Sequence, residues 1–132
     1  MPDNPHLALA FYRLEKAEDC YLAAHKLLDS GLLRDSANRS YYAIFHAVRA
    51  VLALEQIDFK KHSAVISYFQ QHYIKEKVFD VRFSDYVRDA FSVRQQCDYD
   101  DFFVIADREV ELQLDHAREL LDAVTSYLKE RS

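Results

Sequence analysis

Glycine is nearly absent from this 132-residue chain: there is one, Gly31, alongside two prolines and no tryptophan. With so few turn-forming residues, a sheet built from hairpins is excluded in practice, and so is a glycine-rich loop that cradles phosphates. Two cysteines, Cys20 and Cys97, are too few for a disulfide framework and read as reduced thiols of a cytoplasmic protein. The formal charge of −5 removes the global basic field that marks a general DNA binder. Nucleic-acid contact therefore needs a local patch or a basic partner. No run of about 18 apolar residues occurs, so no membrane span is expected. The start, Met1-Pro2-Asp3-Asn4-Pro5, lacks a cationic stretch followed by an apolar one, so a signal peptide is not expected either.

Apolar and helix-forming residues are plentiful. Half the chain is hydrophobic, with nine Tyr and nine Phe, which rules out a disordered chain and supplies one domain over residues 1–132 with its own core. Ala10, Leu14, Ala17, Tyr21, Ala24 and Leu28 alternate steps of four and three, predicting a helix from about His6 to Ser30 that ends at Gly31. A second helix is expected to start on a cap at Asp35 or Ser36 and to run to about Glu55. It is apolar nearly all round, which places it in the middle of a bundle. A third is expected over His62–Ile74, then an irregular loop over Lys75–Phe83, then a fourth helix over Ser84–Cys97. Asp98-Tyr99-Asp100-Asp101 supplies turn and cap chemistry before a last helix over Phe102–Lys129. The fold class is all-α: an antiparallel four-helix bundle with one additional short helix.

Within the second helix, Arg39 and His46 lie seven residues apart and so share a face. An arginine can grip a phosphate with its planar fork, and an imidazole moves protons near neutral pH. Those two capacities are what a metal-independent ribonuclease requires. The alternative is structural: Arg39 pairs with Asp35 or another acid, and His46 is a hydrogen-bonded core residue. Arg94 and Asp98 stand at i, i+4 and form either a local ion pair or, if Asp98 reaches Arg39, a buried network that fixes assembly. Asp98, Asp100 and Asp101 carry no metal-ligand spacing, nor do His62 and His72, so no metal or other cofactor is expected. Lys60, Lys61 and His62, with Lys75, Lys77 and Arg82, read as a solvated basic rim, with contact to RNA or a partner as the alternative.

The string Ala37-Asn38-Arg39-Ser40-Tyr41-Tyr42-Ala43-Ile44-Phe45-His46-Ala47 resembles the second-helix signature of HEPN domains (higher eukaryote and prokaryote nucleotide-binding), in their small stand-alone prokaryotic branch. Lys61-His62-Ser63 and Arg94 followed by Asp98-Tyr99 resemble the next two signatures of that branch. The resemblance implies a HEPN-like bundle, a homodimer, and a place in a two-protein toxin–antitoxin or defence module beside a minimal nucleotidyltransferase partner. It further implies binding of a nucleotide or RNA phosphate, with Tyr42, Arg94, Asp98 and Tyr99 at the ligand or interface. The alternative it implies is a metal-independent ribonuclease toxin, whose motif is an arginine, four to six residues, then a histidine. Arg39 and His46 meet that spacing. In the later helix, where that motif usually lies, no histidine follows Arg94 until His116. A third option is a scaffold whose polar residues only fix dimer geometry.

Overall fold

The computed structural model describes residues 4–132. The leader reading at the first residues rests largely on positions outside that range. Five α-helices follow in order: α1 (Pro5–Asp29), α2 (Leu33–Ala53), α3 (His62–Phe69), α4 (Arg82–Tyr99) and α5 (Asp107–Lys129). Among the described residues there is no strand, and the all-α bundle of four long helices with one short one is the observed architecture.

Local chemistry sets most of the ends. Asn4 caps α1 by accepting from the His6 and Leu7 amides at 3.0 and 3.2 Å, and Pro5 occupies the first turn, where no amide hydrogen is needed. Gly31 closes the same helix with φ of 77°. Its amide donates to Leu28 O and that of Leu32 to Leu27 O, both at 2.9 Å, the paired bonds of a Schellman cap. Glu109 accepts from the Ala106 amide at 3.3 Å and, with Asp107, places acid at the positive end of α5.

Helix α2 lies at the centre and packs on α1, α3, α4 and α5. Ala43, Ala47 and Ala50 are fully buried, and alanines Ala10, Ala17 and Ala24 of α1 are as well, so small side chains permit close helix approach. Tyr41, Ile44, Val48, Leu52, Phe69, Leu120, Leu121 and Leu128 fill the core.

Three boundaries differ from expectation. Helix α2 starts at Leu33, and Ser36 does not cap it: its hydroxyl donates instead to Ala24 O at 2.7 Å, tying α2 to α1. The third helix widens at Gln70–Ile74 into a π-helical turn, with Lys75 N donating to Gln70 O. Tyr73 and Ile74 are both buried as a result. Helix α4 absorbs Asp98 and Tyr99, and α5 begins only at Asp107, because Arg34 of α2 captures the backbone between them. Its guanidinium donates to Phe103 O at 2.7 Å, to Asp100 O at 3.3 Å and to Cys97 O. Both cysteines are free and half-buried.

Candidate functional site

Position in the bundle decides which face of α2 stays open. The central helix is covered on three sides, and Asp35, Asn38, Arg39, Tyr42, His46 and Arg49 fall on the fourth, at helical spacing, none of them fully buried. Helix α1 borders this stripe with Arg13 and Lys16. The start of α3 and the outer part of α4 border it with His62 and Arg94.

Arg94, His62 and Tyr41 meet in one polar contact that joins α4, α3 and α2. An Arg94 terminal nitrogen sits 3.0 Å from His62 Nδ1, and the Tyr41 hydroxyl sits 2.9 Å from the same atom. Arginine nitrogens only donate, so Nδ1 must accept and the ring proton rides on Nε2. Protonating this ring would set two donors against each other. Burial first, and then the Arg94 and Arg49 charges, hold the His62 pKa below its ordinary value. The Tyr41 hydroxyl is pushed up by burial, against the pull of Arg94.

Aromatic rings hold these groups in place. The Arg94 guanidinium lies over both Tyr41 and Tyr42, 5.2 and 5.3 Å from the ring centroids. Phe45 stacks on His62 at 4.0 Å. The Tyr42 ring is 5.9 Å from His62 and also 5.9 Å from His46, so it neighbours both imidazoles. Asp98 pairs with Arg94 Nε at 3.3 Å, the i, i+4 contact expected from the spacing.

His46 is half-buried, and its Nδ1 is sealed from solvent without a hydrogen-bond partner. Its pKa is lowered to about 4, first by burial and then by Arg49, Lys16, Arg13 and His62. Every charged group acting on it is cationic. The nearby carboxylate, Asp58, is held by Arg49 at 2.7 Å and Arg13 at 3.4 Å. Burial works to raise the Asp58 pKa, yet its bonds to Arg49 and the Phe59 amide keep it below the usual range.

Of the expected residues, Tyr42, His46, Arg94 and Asp98 gather here. Arg39 does not join them. It is exposed about 10 Å along the axis from His46. Among the described residues it forms neither an ion pair with Asp35 nor a bond to Asp98. Tyr99 is exposed beyond the end of the cluster. Sequence reasoning gave no site role to Tyr41, Phe45 and Arg49, and weighed His62 only within a basic rim. Arg49 was legible, three residues after His46 on the same stripe, and His62 stood in a quoted signature. The described residues form no cluster of potential metal ligands, and no described helix is long and apolar enough to cross a membrane.

The match to known proteins decides the family. The HEPN domain profile covers residues 10–129. This chain is a HEPN protein. A Methanocaldococcus jannaschii protein named "Putative toxin" is 34% identical over 115 residues, 87% of this chain and 78% of that one. A second so named, from the same organism, is 33% identical over 86 residues, 65% of this chain and 64% of its own. A Thermotoga maritima "UPF0332 protein" is 27% identical over 119 residues, 90% of each. Within this HEPN fold, the stripe of α2 combines fixed cations, neutral imidazoles and aromatic faces. Such a set can hold an anionic group beside a ring and can accept a proton.

Proposed function

We propose that this HEPN protein is a toxin-type member of a two-protein module and that the open face of α2 binds the phosphate of a single-stranded RNA. The observation that carries the reading is the unpaired imidazole of His46 set among Arg13, Lys16 and Arg49 in a chain of net charge −5. A half-buried neutral base beside Lys16 and beside Arg13 and Arg49, which share the single carboxylate of Asp58, is stabilised when a further anion enters. Arg94 and Arg49 grip the phosphate, and Tyr42 offers a ring for a base to stack on. The names of the M. jannaschii relatives support the toxin-type role. The HEPN resemblance supports a homodimer in the cytoplasm and a nucleotidyltransferase as the partner.

The same imidazole favours a second reading, metal-independent cleavage of that RNA. His46 would take the proton of the 2′-hydroxyl as its oxygen attacks the adjacent phosphorus. Arg94, in place of the expected Arg39, would stabilise the charge on the phosphoryl oxygens. The bond to the 5′-oxygen breaks, that oxygen takes a proton from water, and a cyclic phosphate remains.

One experiment separates these outcomes. Fluorescent single-stranded RNA is titrated with the purified protein in chelator, and the products are then resolved. Binding that weakens at least about tenfold in Arg94→Gln is the expected result. Equal binding by the parent and Arg94→Gln overturns the phosphate site. Cyclic-phosphate product that disappears in His46→Gln while binding persists establishes the ribonuclease.

A further inference from the structure

Between α4 and α5, residues 100–106 run without helix, and three large apolar side chains there or at the adjoining helix end face solvent. Tyr99 is 85% exposed, Phe102 93% and Val104 83%. Isolated apolar residues on a surface are ordinary, but here three are exposed within six positions, and one of them, Val104, shares a groove with the half-exposed Leu32. The segment is not slack chain. Arg34 spends its guanidinium on the backbone oxygens of Cys97, Asp100 and Phe103, and Asp100 turns the chain by accepting from the Phe102 amide at 3.0 Å. A charged, partly buried clamp thus fixes the backbone that displays the apolar side chains. Presentation at low entropic cost is what a recognition surface needs.

Beside the segment lies that groove, of about 640 Å³, floored by Leu33, Phe103 and Ile105 and rimmed by Asp35 and Asp101. Neither rim carboxylate has an ion-pair partner among the described residues, whereas the groove's cation, Arg34, points its donors into the protein. The groove therefore presents apolar walls under uncompensated negative charge. We propose that it docks a basic amphipathic segment of a partner protein, with apolar side chains entering between Leu32 and Val104 and lysines or arginines meeting Asp35 and Asp101. Charge complementarity selects this occupant. A second copy placed symmetrically on the groove would bring like carboxylates together. RNA is repelled for the same reason; Asp35 stands at the far end of the α2 stripe, so the groove adjoins that face but shares none of Tyr42, His46, Arg49 and Arg94 with it.

The test uses the full chain and two labelled 18-residue synthetic helices, each with leucine along one face and either lysine or glutamate along the other. Fluorescence anisotropy at 150 mM salt reads binding. The lysine helix is expected to bind, and to bind at least about tenfold more weakly to Phe102→Asp and to the double variant Asp35→Asn/Asp101→Asn. The glutamate helix is expected not to bind. Arg94→Gln retains the lysine helix, and Phe102→Asp retains RNA binding, which keeps the two sites distinguishable. Phe102 is almost wholly exposed, so its variant folds, and thermal melts verify this for each protein. No binding of the lysine helix, or equal binding by parent and both variants, overturns the proposal. So does a change of oligomeric state in Phe102→Asp by light scattering, which would identify a second copy as the occupant.

Discussion

His46 is a base that the fold keeps uncharged. Its pKa of about 4 in the folded chain stands against an ordinary value near 6.5, so between those limits the unfolded chain binds the extra proton. Stability must then rise with pH across that window. It is complete above about pH 6.5, falls as the pH drops toward 4, and loses nothing further from this group below that. His62, shifted in the same direction, adds to the same window. Discounted for the partial exposure of both rings, the loss between pH 7 and pH 4.5 is roughly 2 kcal/mol. Urea unfolding at the two pH values measures it. In His46→Gln most of that loss should vanish, because glutamine carries no proton to gain. An unchanged pH dependence in the variant would mean that the imidazole is solvated. A bound phosphate reverses the sign of the surrounding field, so RNA should bring with it a proton taken up by His46 near neutral pH.

Elements here are joined by single polar residues that reach across gaps the apolar pattern does not record. Arg34 is the clearest case: one guanidinium ties α2 to the end of α4 and to the segment leading into α5. Arg34→Met keeps much of the aliphatic stem and leaves three carbonyls without their donor. The cost expected is about 2–3 kcal/mol in chemical denaturation, with faster amide exchange confined to residues 97–106. The same residue explains why the helix ends in this region were misread. Hydrophobic periodicity correctly gave α1, the centrality of α2 and the extent of α5 toward its end, since those depend on apolar spacing. The start of α5 was set at Phe102 because Asp98-Tyr99-Asp100-Asp101 read as the turn and cap before it. A long-range capture of carbonyls by an arginine some seventy positions away has no local signature. His62 was hidden for a related reason: its role exists only where α3 begins beside Arg94 and Tyr41, three elements that meet by folding. Arg39 stands apart for the opposite reason. Its spacing to His46 was sound, but its end of the stripe lies beyond the cover that α3 and α4 provide.

Across the whole molecule, charge is sorted by surface. The open side of α2 carries Arg13, Lys16, Arg39, Arg49 and Arg94 against Asp58 and Asp98, with Asp35 at its far end, where the groove beside the α4–α5 connection adds Asp101. An acidic protein with one cationic face should attract RNA to that face alone and repel it elsewhere. The number of phosphates engaged is then small, set by the cations not already committed to acids. With two or three phosphates neutralised, the slope of log K against log salt is expected near −1.4 to −2.1 for single-stranded RNA, since each contact contributes about 0.7. Affinity should fall by roughly seven- to twentyfold between 50 and 200 mM salt. Anisotropy titrations at four salt concentrations give the slope directly. Arg94→Gln should reduce its magnitude by about 0.7, and Phe102→Asp should leave it unchanged, because that side chain lies on the α4–α5 connection and not among the cations of the stripe. A slope near zero would mean that stacking on the aromatic rings, and not the cations, holds the RNA. A slope steeper than about −4 would require phosphates to run beyond the stripe, over surfaces where this chain has carboxylates to repel them.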